Sequence, residues 1–339
     1  MARHTGAETV VFSSPVCITA TASTVGTKEG EGPLGKLFDR VLKDNMAGEQ
    51  TWEAAESVMV KDNFGILFEK SGVHPDFLIA GDLQNQCCGT NYGVRDLNIP
   101  TFGVFDACAT FGEALALAAV MTDSGAAENV AAGVSSHFCS AERQFRFPLE
   151  LGNQRPPTST YTVTGAGAAM LSKNGTGPYI TAFTAGKITD YGVNDANNMG
   201  AAMAPAAAEC ISMHLRDTGR NADYYDLIAT GDLGCVGREL LLQLLKKDGT
   251  DIADNHMDCG IEIFDKAAQD THAGGSGCAC SAAVFAALLY KRLKRGELNR
   301  LLLVPTGALM SPTSIQEGES ILGTAYAVAI ENEVIKWNI

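Results

Sequence analysis

Cys108 has the residue type and setting for covalent chemistry. It stands in FDACATFGEALALAAVMTDSG (105–125), at a turn of small residues that opens an Ala/Leu helix. A helix N-terminus favours a thiolate, which is the nucleophilic form of cysteine. Two carboxylates could oppose this. Asp82 lies in DFLIAGDL (76–83), and Asp232 lies 150 residues further on in DLIATGDL (226–233). A carboxylate beside a thiol disfavours the thiolate. Asp also caps helices and shapes turns, so a structural role stays open for both. His272 and Ser276 precede a second Ala-rich helix in HAGGSGCACSA (272–282). His272 would serve as a base if the site is catalytic, and Ser276 as a hydrogen-bonding group. His137 ends an apolar run before a polar loop. In ERQFRFP (142–148), Arg143 and Arg146 alternate with Phe145 and Phe147. Guanidinium forks set among aromatic rings suit a flat carboxylate, and an anchoring ion pair is the plainer use of Arg143. The pairs Cys87-Cys88 and Cys278-x-Cys280 lack zinc spacing, so no metal site is expected.

The elements that hold these residues repeat. Phe77–Ala80 and Leu227–Ala229 read as buried strands, each ending at Gly-Asp. Each is followed by a small-residue turn and an Ala/Leu helix that stops at Gly125 or Gly296. Each helix leads to a strand, a Ser/Thr loop and another apolar strand. The order strand, helix, strand, strand thus occurs twice, and it divides the chain into halves at 1–175 and 176–339. Such units predict an α/β fold with mostly parallel strands covered by helices. Ligands in these folds bind beyond the carboxyl ends of strands. The Gly-Asp tips, the Cys108 turn and the Gly274–Gly277 turn should therefore converge between the halves.

Composition narrows the function. The 339 residues carry 25 basic against 39 acidic side chains, a formal net charge of -14. That disfavours a nucleic-acid binder, which concentrates Lys and Arg. No run reaches the ~20 apolar residues of a membrane span. The first residues lack the apolar core of a signal peptide, and ten cysteines without one read as free thiols in a reducing compartment.

The stretch 87–115 resembles the nucleophile region of the β-ketoacyl-acyl-carrier-protein synthase III family, within the thiolase superfamily. Closer still, KEGEGPLGKLFD (28–39), SSHFCSAERQFRFP (135–148), HAGGSGCACSA (272–282) and TGALMSPTSIQEGESI (306–321) resemble the stage V sporulation protein AD family. The resemblance implies a thiolase fold, a five-layer αβαβα sandwich of two similar halves. It implies a protein that binds dipicolinic acid, as the free acid or the calcium chelate, and acts in its uptake at the spore inner membrane with other stage V sporulation membrane proteins. It implies no cofactor and a homodimer in which 84–92 reaches toward the partner. Active thiolase-fold enzymes carry His, or His and Asn, where this chain has Gly231-Asp232 and Ser276. Two readings follow. In one, Cys108, Asp82, Asp232, Ser276, His137, Arg143 and Arg146 surround a bound ligand. In the other, Cys108 and His272 transfer acyl groups from coenzyme A or acyl-carrier-protein thioesters.

Overall fold

Both apolar runs that end in Gly-Asp are strands, because β-branched and leucine side chains there are buried on both faces. The computed structural model describes residues 2–145, 149, 152 and 154–333; Arg146 and Phe147 lie outside them. The first half contains β1 (Thr9–Val25), α1 (Trp52–Ser71), β2 (Phe77–Gly81), β3 (Thr101–Gly103), α2 (Thr110–Ser124), β4 (Asn129–Ser136), α3 (Phe138–Phe145) and β5 (Gly165–Ser172). The second half contains β6 (Tyr179–Ala185), α4 (Met199–Thr218), β7 (Leu227–Thr230), α5 (Gly234–Lys247), β8 (His256–Asp258), α6 (278–294), β9 (Arg300–Val304) and β10 (Leu322–Glu331).

The strands run β3-β2-β4-β5-β1-β6-β10-β9-β7-β8. Read outward from the β1–β6 junction, both halves share one order: first, fifth, fourth, second, third. The pairings also repeat. The fourth, second and third strands are mutually parallel, whereas the first and fifth pair antiparallel. The sheet is thus mixed, not mostly parallel as the sequence suggested. The chain leaves β4 at Ser136 and re-enters β5 at Gly165, its direct partner, so the strand must run back. The repeat in sequence also overlooks the strand that opens each half, β1 and β6.

Helices α1 and α4 cover the outer faces, α1 against β1, β5 and β4, and α4 against β10. Helices α2 and α6 lie between the two halves of the sheet, where α2 meets β4, β2 and β10 and α6 meets β5, β4 and α2. The layers are therefore α, β, α, β, α. A helix enclosed in this way must be apolar all round, which explains the Ala/Leu composition of α2. Small residues let these layers approach closely. A Cβ on Gly167 of β5 would sit 2.4 Å from the Ala282 carbonyl carbon of α6. Phe111 of α2 and Phe285 of α6 are fully buried with ring centroids 5.8 Å apart. Burying each contributes roughly 2–3 kcal/mol. The central helices end at Gly125 (φ +78°) and Gly296 (φ +71°), left-handed positions that glycine adopts without a side-chain clash.

Candidate functional site

Cys108 projects from a tight turn between β3 and α2. Asp106, at the start of this turn, accepts from Thr324 Oγ1 at 2.9 Å, and its N–H donates to Thr110 Oγ1 at 3.0 Å. So anchored, the backbone passes through Ala107 at φ +48°. A non-glycine residue in that region stores on the order of 1 kcal/mol of strain. The turn delivers Cys108 to the floor of a cavity of about 40 Å³ between the halves. At ~15 Å³ each, two or three waters would fill that space. Its walls include Leu83, Ala107, Ala141 and Ala308, with Phe105, Phe145, Met199 and Met310 also on the lining. Glu142, Thr162, Ser276 and the Gly277 backbone supply its polar groups, and Thr162 Oγ1 donates to Glu142 at 3.2 Å. Among the described residues that line it there is no Lys, Arg or His.

The Cys108 thiol lies against the Asp232 carboxylate and the Gly277 N–H. Burial pushes this thiol well above its ordinary range. The Asp232 charge pushes in the same direction, whereas the Gly277 N–H opposes both. Asp232 is wholly buried and is itself pushed up to about 7, by burial first, against donors that favour its charge. Those donors include Thr306 Oγ1 at 2.8 Å and Gly277 N–H at 3.1 Å. A charged carboxylate and a thiolate in contact would repel strongly in so dry a place. The pair is therefore built to keep the sulfur protonated.

Asp82 holds the equivalent position in the first half but does different work. Its two oxygens accept from Gln84 N–H at 2.7 Å and Thr90 N–H at 2.6 Å. It shapes the turn and the start of the 88–94 helix and does not line the cavity. In the second half that capping passes to Asp258, which accepts from Leu233 and Gly234 N–H at 2.9 and 3.0 Å. Asp232 is thereby left to face Cys108.

The remaining sequence candidates divide. Ser276 lines the cavity beside Cys108. His272 does not. Its backbone is at φ +52° and its Nε2 lies 3.3 Å from the mostly exposed Asp270 carboxylate. His137 is turned away and occupied at both nitrogens. Nδ1 accepts from Cys139 N–H at 3.1 Å, and Nε2 then donates to Asn45 O at 2.8 Å. Arg143 pairs with Glu53 and stacks on Trp52 at 5.1 Å, so it anchors α3 to α1 rather than facing the cavity. Arg146 lies outside the described residues. Sequence reasoning missed Glu142, Thr162 and Thr306. Glu142 stood beside the chosen Arg143, and helical spacing places it with Ala141 and Phe145 on the cavity side of α3. No group of three or more His, Cys, Asp or Glu among the described residues is arranged to hold a metal.

Comparison with known proteins identifies the family and the fold. Residues 6–331 match the family described as Stage V sporulation protein AD. The chain is 44% identical over 330 residues to Stage V sporulation protein AD of Bacillus subtilis (strain 168), covering 96% of this chain and 97% of that one. The fold is similar to 3-oxoacyl-[acyl-carrier-protein] synthase III from Aquifex aeolicus VF5, with TM-score 0.56 and 13% identity over 93% of this chain and 99% of the other. It is also similar to cerulenin-bound OleA of Xanthomonas campestris, with TM-score 0.60 and 14% identity over 94% and 97% of the two chains. At these identities the two structures establish the thiolase fold alone.

Proposed function

The chain belongs to the stage V sporulation protein AD family, and from that membership and the altered site we propose that it binds dipicolinic acid in the Cys108 cavity without acyl transfer. Bound there, the ligand would be passed on during its uptake into the developing spore, in a complex with other stage V sporulation membrane proteins and with a second copy of this chain. The observation that carries this reading is the Cys108–Asp232 contact in a cavity whose described lining holds no histidine. Acyl transfer needs a thiolate and a group to manage the developing oxyanion. This arrangement suppresses the first and lacks the usual side chains for the second, but it keeps a shaped cavity.

A flat ring suits the apolar walls. The space is tight, so entry requires Met199, Met310 or Phe145 to swing aside, and the unbranched methionines do so readily. The Ser276 hydroxyl can donate to a carboxylate. Glu142 and Asp232 oppose a bare dianion. Partial neutralisation, by a proton or in the calcium chelate, fits the site better. No helix among the described residues is long and apolar enough to cross a membrane.

Isothermal titration with dipicolinate, with and without calcium, tests the proposal. Saturable binding is expected in the wild type, with at least tenfold loss in Ala308→Leu, which fills the cavity. Absence of heat in the wild type, or unchanged affinity in Ala308→Leu, overturns it. An acyl adduct on Cys108 after incubation with acyl-coenzyme A would favour the acyltransferase instead.

A further inference from the structure

A second cluster lies outside the cavity and independent of the reading above. Tyr161 and Thr162 form a two-residue strand beside Gly275 and Ser276. Side chains alternate along a strand, so with Thr162 on the cavity, Tyr161 turns to the other side. Phe138 stacks on one face of the Tyr161 ring, 4.0 Å between centroids and 8° from parallel. Phe264 meets it edge-on at 5.7 Å.

Two cations stand over the same ring. Lys28 Nζ is 4.6 Å from the centroid, and the Arg155 guanidinium is 5.1 Å from it. With Phe138 at 4.0 Å on one face, both must share the other. Like charges so placed oppose each other, and Lys28 is held below its ordinary range by burial and then by Arg155. Glu29, Glu31 and Asp270 offset this only in part. Glu29 turns one oxygen to Thr164 N–H at 2.9 Å, and Asp270 is 84% exposed with its carboxylate 3.9 Å from Arg155. Arg155 Nη2 donates to the Asp270 backbone carbonyl at 2.6 Å, which fixes the fork. Arg155 Nη1 is buried with no acceptor among the described residues. Lys28 Nζ likewise has no hydrogen-bond acceptor among them. A buried guanidinium donor left unmet is costly, and an oxyanion is its natural partner.

We propose that Lys28 and Arg155 together hold one small oxyanion, a carboxylate or a phosphate, between their cationic groups on the side of Tyr161 opposite Phe138. Arg155 Nη1 supplies the buried donor and Lys28 the more accessible charge. Inorganic phosphate and acetate serve as probes, followed by thermal unfolding and isothermal titration at ionic strength matched with sodium chloride. The wild type should show saturable stabilisation by at least one of them. Saturation by phosphate alone assigns a phosphate site, and saturation by acetate a carboxylate site. Arg155→Gln and Lys28→Gln should each weaken binding at least tenfold. Arg155→Lys, which keeps the charge but loses the fork, should fall between. A wild-type response that tracks ionic strength alone overturns the proposal. So does undiminished affinity in Arg155→Gln.

Discussion

Replacing Asp232 with Asn removes the carboxylate that touches the Cys108 thiol while keeping its size. A unit charge ~4 Å away, at an effective dielectric of ~20, is worth about 4 kcal/mol. At 1.36 kcal/mol per tenfold, that is roughly 10³ in thiolate fraction. A more acidic thiol is also a weaker nucleophile, and a Brønsted slope of ~0.4–0.5 takes back nearly half of the logarithm. The expected gain in alkylation rate is therefore about 10–100-fold. Because Asp232 is pushed up to about 7, the gain should be full above pH 8 and should fade below pH 6, where the native carboxyl is already neutral. The assay is a time course with iodoacetamide at pH 8.5, read by mass spectrometry on the peptide that carries Cys108. Peptide resolution is required because Cys88, Cys139 and Cys235 are partly exposed and will react as well. Circular dichroism verifies that the variant is folded. A Cys108 rate within twofold of the wild type at pH 8.5 would refute the claim that Asp232 suppresses the thiolate.

Stability should fall as pH rises from 6.5 to 8.5. Glu29 and Asp232, pushed up to about 7, and Glu56, pushed up to about 8, are wholly buried and owe these values first to burial. Their folded-state pKa values lie above the unfolded ones, so their contribution is complete at low pH and is lost as pH passes through the folded values. The three together give a loss on the order of 3 kcal/mol, measurable as a fall in urea midpoint; a flat profile over this window would contradict it. Asp82→Ala leaves two backbone N–H groups without acceptors and should destabilise by about 2–5 kcal/mol in urea unfolding. The same variant should leave the Cys108 alkylation rate unchanged, whereas an accelerated rate would place Asp82 at the cavity after all.

Much of the architecture is legible in the sequence because the chain says it twice. The runs around Asp82 and Asp232, and the Ala-rich helices that stop at Gly125 and Gly296, carry their own periodicity and punctuation. They identify two like halves and place Cys108 at a turn before an enclosed helix. The mixed sheet was not legible in the same way. Strand direction depends on the end from which the chain re-enters the sheet, and a loop sequence does not encode that.

The candidate site shows the same division at finer scale. Asp82 and Asp232 look alike in sequence, each after a buried strand and a glycine. Only the folded structure separates them. In the first half the aspartate caps its own turn, whereas in the second Asp258 performs that task from a neighbouring strand and frees Asp232 to meet Cys108. Likewise His137, His272 and Arg143 have the right chemistry, but their hydrogen bonds and ion pairs turn them elsewhere. Residue type and local pattern act within a few turns of chain, so the sequence by itself determined the repeat, the buried helices and the position of the thiol. Which groups surround that thiol is set by contacts between segments more than a hundred residues apart, and these exist only once the two halves close on each other.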